Sequence, residues 1–283
     1  MLNEYYTLAN NVLIPKIGLG TWMVEDEDAE QVVASAIKAG YRHIDTAQAY
    51  ENEAGVGRGI KAGNVPRDQL FITTKLAAEA KSYDEAKKAI DESLAKLDLD
   101  YIDMMIIHSP QPWANFGDDD RYFEGNLEAW KALEEAYKDG KLRAIGLSNF
   151  KQQDIQNILD NCTVKPLVNQ VLAHASNTPF ELIEFVQKQE MVVEAYSPVG
   201  HGELFKNDKI KALADKYGVS VPQLAIRYDL QLGLLPLPKS TNPEHMKNNA
   251  DVDFVISDED METLKNLPTI EDYGDASDMP VFQ

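Results

Sequence analysis

Four side chains of different chemistry fall at the ends of consecutive strand-like segments. Asp45 and Tyr50 follow the segment 41–44, Lys75 follows 70–74, and His108 follows 101–107. An acid, a phenol, an ammonium and an imidazole together suit one task, the protonation of a carbonyl oxygen. A carbonyl that receives hydride builds charge on its oxygen and needs a proton there. A free phenol, with a pKa of about 10, is a poor acid at neutral pH. A lysine ammonium beside Tyr50 favours the phenolate and is expected to lower that pKa. Asp45 is expected to keep Lys75 charged and in place, and His108 to hydrogen-bond the same oxygen and orient the substrate. Each residue taken alone is better explained by a core salt bridge or hydrogen bond; their joint placement at successive strand ends reverses that and favours chemistry.

For the four to meet, their strands must be parallel neighbours. Strand-like runs occur at 17–19, 41–44, 70–74, 101–107, 144–147, 167–170, 192–195 and 234–236, with helical patterns between them at 27–39, 52–62, 83–97, 124–138, 151–160, 179–189 and 220–231. Eight strands alternating with helices predict an α/β fold, a (β/α)8 TIM barrel, with the chain 1–283 as one domain. A hairpin of 6–9 and 12–14, turning at Asn10 and Asn11, is expected to plug the lower end of the barrel. Two extra helices are expected at 207–217 and 257–266, and 268–283 reads as an irregular acidic tail. Gly40 and Gly140 suit left-handed helix ends, and Ser82 and 148–150 suit helix starts.

Composition narrows the partners. There are 47 acidic and 27 basic residues, a formal net charge of −20, with 44% hydrophobic residues. No Lys/Arg run stands against that charge, so neither nucleic acid nor an anionic membrane surface is expected as a partner. The single Cys162 excludes an internal disulfide, and no His, Cys, Asp or Glu cluster has metal spacing, so no metal is expected. No apolar run is long enough for a membrane span. A cytoplasmic location is expected.

Several longer motifs carry a resemblance. GLGTW (18–22), RHIDTAQAYENEAGVG (42–57), LFITTKL (70–76), DYIDMMIIHSP (100–110), GLSNF (146–150), VNQ (168–170), AYSPVG (195–200) and LPKS (237–240) resemble the aldo-keto reductase family, including its bacterial aldehyde and ketone reductases of the diketogluconate-reductase type. The resemblance implies a (β/α)8 barrel that reduces aldehydes and ketones with a nicotinamide cofactor, NADPH first and NADH as a second candidate, as a monomer acting on a small carbonyl compound. Its catalytic residues match Asp45, Tyr50, Lys75 and His108. It also explains why no Rossmann fingerprint is needed: 18–20 lacks its third glycine and 55–57 opens no such unit.

By the same resemblance, Thr21, Trp22 and Asp45 border the cofactor. Ser148, Asn149 and Gln170 meet its carboxamide, and Tyr196 stacks on the nicotinamide. Ser197, Pro198, Val199 and His201 line the pyrophosphate path, where a protonated His201 would add charge. Lys239, Ser240, Thr241 and Asn242 match the 2′-phosphate site, and Asn248 and Asn249 the adenine side. His245 stands where the family usually has arginine. A neutral imidazole cannot form the guanidinium fork, so a weaker NADPH preference is expected. Ser109 replaces the usual tryptophan after the histidine and is expected to open the substrate pocket, with Trp22, Tyr50 and His108 as its walls and Trp113 swinging in. The loops 109–123 and 198–206 and the tail are expected to complete the pocket; its acids would disfavour anionic substrates. Two rival functions are a lyase or aldolase that forms a Schiff base at Lys75 and a non-catalytic cofactor-sensing barrel.

Overall fold

A computed structural model describes residues 1–282. Its first element is a hairpin of β1 (Tyr5–Thr7) and β2 (Leu13–Pro15), antiparallel with Tyr6 opposite Ile14. Eight parallel strands follow in spatial order: β3 (Leu19–Gly20), β4 (His43–Asp45), β5 (Phe71–Leu76), β6 (Ile102–Ile107), β7 (Leu142–Ser148), β8 (Val168–Leu172), β9 (Val192–Tyr196) and β10 (Leu235–Leu237). The predicted (β/α)8 barrel is the observed fold.

Between the strands run α1 (Asp26–Lys38), α2 (Glu53–Ala62), α3 (Tyr83–Leu97), α4 (Phe123–Lys138), α5 (Gln152–Asn161), α6 (Phe180–Lys188) and α8 (Val221–Gln231). The expected extra helices are α7 (Asp208–Tyr217) and α10 (Asp258–Lys265). The sequence reading missed α9 (Pro243–Ala250), a helix whose buried apolar side chains are only Met246 and Ala250. Too few apolar residues mark its face, yet Asn242 as cap and Pro243 at the first position were readable start signals. The segment 148–150 does not start a helix: Ser148 ends β7, and α5 begins at Gln152.

Strand alternation turns Phe71, Met104, Ile106, Ala144, Val168 and Leu235 into the barrel, where Leu8 and Ile14 of the hairpin pack on them. Each of the larger of these side chains contributes about 1.5–3 kcal/mol relative to exposure. The hairpin is thus the plug that was expected. The last and first staves close on each other through Gly18 N–H to Pro236 O (3.2 Å) and Gly20 N–H to Pro238 O (3.0 Å). Glycine is required at this seam: a Cβ on Gly18 would lie 2.7 Å from Leu237 Cδ2 and 2.8 Å from His43 Nδ1. Among the described residues no helix is long and apolar enough to cross a membrane.

Candidate active site

Lys75 sits on the inward side of β5 and is 1% exposed. Its ammonium donates to Asp45 Oδ2 (2.5 Å), Thr46 O (3.0 Å) and Tyr50 OH (3.1 Å). Tyr50 ends a short 3-10 turn, Gln48–Tyr50, stopped by Glu51 in the left-handed region at φ 56°. The turn is braced from behind: Thr46 donates to Asn52, and Asn52 donates to Thr21 O and Val24 O. His108 follows β6 and is held by its own N–H on Leu76 O (3.1 Å), which sets its ring 5.7 Å from that of Tyr50. Aspartate, tyrosine, lysine and histidine therefore meet at one rim, as their spacing predicted.

The electrostatics differ from expectation at one point. Burial pushes the Tyr50 phenol above its ordinary pKa, and the opposing pull of Lys75 is the smaller effect. The resting phenol therefore keeps its proton at neutral pH. Burial disfavours the Lys75 ammonium, but Asp45 and Tyr50 together more than offset this and hold its pKa above the usual lysine value. Burial and then Lys75 drive His108 well below the usual imidazole range, so it is neutral.

Asp45, Tyr50 and His108 face a cavity of about 500 Å3, with Lys75 buried behind them. Of the residues singled out from the sequence, Trp22, Asp45, Tyr50, His108, Trp113, Ser148, Asn149, Gln170, Tyr196, Ser197, Pro198, Val199, His201 and Lys239 line it. The polar floor is internally connected. Ser148 Oγ donates to Gln170 O (2.9 Å), Asn149 Nδ2 to His108 O (3.0 Å), and Tyr196 OH to Asn149 Oδ1 (2.8 Å). Lys239 stands exposed on the wall and makes no ion pair among the described residues. His201 bonds Ser197 Oγ through Nε2 (3.0 Å), and burial lowers its pKa, so the expected extra charge is not present at neutral pH.

Some expectations fail on side-chain direction. Thr21 is fully buried and donates to Asp45 O rather than reaching the cavity. Ser109 is also fully buried; its Oγ accepts from Gln111 N and its carbonyl accepts from Lys81. It therefore opens no pocket, and Trp113 fills the place, its ring 5.0 Å from that of His108. The loop carrying Trp113 is braced by buried Gln111, which bonds Asp118 O, Asp120 O, Gly117 N and Arg121. Ser240, Thr241, Asn242, His245, Asn248 and Asn249 lie beyond the cavity, on or before α9. Asn242 caps that helix by accepting from Glu244 N, His245 and Asn248 are exposed, and Asn249 is buried.

The tail does reach the site, with its apolar side. Met279, Val281 and Phe282 line the cavity, whereas Glu271, Asp272, Asp275 and Asp278 face solvent. Phe282 lies 4.7 Å from the His201 ring and 6.0 Å from Trp22, nearly parallel to the latter. The tail is pinned at Tyr273, whose hydroxyl bonds His174 Nε2 (2.9 Å) and accepts from Asn177 (3.3 Å). The sequence reading missed Met23 and Glu194. Met23 follows the Trp22 wall directly. Glu194 is an acid inside the otherwise apolar run 192–196, a signal of a buried polar role that was available.

The model of the Aldo/keto reductase family matches residues 16–268 of the chain. The chain is 41% identical to glyoxal reductase of Bacillus subtilis (strain 168) over 283 residues, covering 99% of both chains. It is also similar to the crystal structure of an aldo/keto reductase from Brucella melitensis, at 35% identity and TM-score 0.86, covering 93% of this chain and 97% of that one. A Bombyx mori aldo-keto reductase in complex with NADP superimposes with TM-score 0.86 at 34% identity, covering 97% of this chain and 96% of that one.

Proposed function

This chain belongs to the aldo/keto reductase family, and from that premise we propose that it reduces aldehydes and ketones to alcohols with NADPH, Tyr50 acting as the acid. The observation that carries this is the Lys75 ammonium, 3.1 Å from the Tyr50 hydroxyl and 2.5 Å from Asp45, buried behind these two residues, which line the cavity. NADP(H) fits the donor set. Amide and hydroxyl groups of Ser148, Asn149 and Gln170 match a carboxamide, the ring of Tyr196 a planar heterocycle, and exposed Lys239 a phosphate. The cofactor, when bound, supplies hydride.

The chain's own residues handle the proton. Tyr50 donates its hydrogen to the carbonyl oxygen as negative charge grows there, and takes it back in the oxidative direction. Lys75 stabilises the phenolate that is left, so its effect falls on the transition state rather than on the resting phenol. Neutral His108 hydrogen-bonds the same oxygen. Trp22, Trp113 and Phe282 form apolar walls that keep water from the reacting centre. Small dicarbonyls stand first as substrates because a 41% identical relative bears the name glyoxal reductase, with diketones and sugar-derived carbonyls next. A Schiff base at Lys75 is disfavoured: imine formation needs a neutral amine, and Asp45 keeps this one charged.

Tyr50→Phe should cut turnover by about a hundred- to ten-thousandfold while NADPH still binds. In the wild type, carbonyl reduction should hold through neutral pH and decline as rising pH strips the Tyr50 proton. Steady-state rates on aldehydes, diketones and sugar-derived ketones with NADPH and NADH check both. Full activity in the phenylalanine variant would refute the assignment.

A further inference from the structure

Glu194 lies inside the barrel with no part in the proton transfer. It is fully buried on β9, directly opposite Gln170 of β8. The Gln170 amide nitrogen donates to Glu194 Oε2 (2.7 Å) and to Asp45 Oδ1 (2.9 Å). Glu194 Oε1 has no hydrogen-bond partner among the described residues. The charged groups nearest to it are Asp45 from β4 and Lys75 from β5, and these two are already paired. Burial, and then the charge of Asp45, push the Glu194 carboxyl up to about 8, so at neutral pH it is an uncharged acceptor.

An amide nitrogen carries two hydrogens, and here both are taken. Turning the amide over would set its carbonyl oxygen against the Asp45 carboxylate, which is held charged by Lys75. Gln170 also lines the cavity, so the atom it can show there is Oε1, an acceptor. We propose that Glu194 is a positioning residue that, with Asp45, takes both amide hydrogens of Gln170 and thereby makes this part of the cavity wall selective for a ligand group bearing N–H. The matching group is the primary carboxamide of a nicotinamide; a ketone in the same place would set oxygen against oxygen. The proposal rests on the cavity taking a nicotinamide cofactor.

The test is equilibrium binding, followed by quenching of intrinsic fluorescence, of NADPH and of its reduced acetylpyridine analogue, in which an acetyl group replaces the carboxamide. The proteins are the wild type, Glu194→Ala and Glu194→Gln. The wild type should favour NADPH by about tenfold or more. Glu194→Ala should narrow that ratio by about three- to tenfold, mainly through weaker NADPH binding. Glu194→Gln, whose amide oxygen is also a neutral acceptor, should keep the ratio within about twofold. A purely structural role would lower the melting temperature and leave the ratio alone. The proposal is overturned by an unchanged ratio in the alanine variant, by a collapsed ratio in the glutamine variant, or by a wild type that binds both compounds equally. If the alanine variant does not fold, Glu194→Leu, which fills the space but removes the acceptor, takes its place, and an unchanged ratio there overturns the proposal. A wild type that binds no NADPH overturns the cofactor assignment itself, whereas a discriminating wild type matched by its alanine variant sinks only the role of Glu194.

Discussion

Among single residues the clearest expected consequence lies at His245, the position to which the family resemblance assigns an arginine. Lys239 offers a point charge, while exposed His245 on α9 has no guanidinium fork to close on a phosphate. If the 2′-phosphate lies near residue 245, as the family resemblance implies, His245→Arg should tighten NADPH by about five- to tenfold and leave NADH nearly unchanged, because only the 2′-phosphate offers a charge-assisted bidentate contact. The ratio of kcat/KM for the two cofactors measures this; equal gains with both would show that the added charge acts without the phosphate. At this scale the sequence was informative about residue type and weak about direction. Asp45, Tyr50, Lys75 and His108 could be picked out because four unlike polar groups at strand ends have few structural explanations. Thr21 and Ser109 could not be placed, because a small hydroxyl at a strand end can turn to the cavity or back to its own loop. The sign of the Tyr50 shift was also out of reach: it depends on burial outweighing a lysine 3.1 Å away, which is a matter of packing.

Elements position the site by accepting local strain around it. Met23, Asn149, Ser197 and His201 all line the cavity with positive φ, at 61°, 61°, 53° and 53°. Non-glycine residues in that region cost about 1–3 kcal/mol each, and they persist only where surrounding contacts hold them. The tail depends on one such hold. Tyr273 is buried and bonded to His174, and burial pushes that imidazole down to about 4, so it is neutral through the physiological range. Tyr273→Phe should cost about 1 kcal/mol locally. Faster hydrogen exchange or proteolysis of 268–282 with little change in global melting would show it; unchanged protection would mean that Phe282 packing alone secures the tail. Strands and barrel helices were legible because short apolar runs alternate with amphipathic helical segments along the whole chain. Missing α9 and the tail's inward face share a cause: both are short segments whose few apolar residues gain meaning only from what they pack against.

The whole molecule sets a field that its own proposed ligand must cross. A formal charge of −20 repels an anionic dinucleotide at long range, while Lys239 attracts it at short range. Raising ionic strength from about 10 to 100 mM shortens the Debye length from about 30 to 10 Å, which removes distant repulsion before contact attraction. The NADPH association rate in stopped flow should rise a few-fold over that range, and a fall would mean that local cations dominate the approach.

The joint between Gly18–Gly20 and Pro236–Pro238 has a consequence for how the protein matures. Trp22 leaves from one side of it and Lys239 from the other, yet both border the same hollow. A nascent chain therefore owns no finished binding chamber until its eighth stave, more than two hundred residues after the first, has docked. Any occupant touching both banks then works as a clasp, so fastening the ligand and fastening the ring become one event.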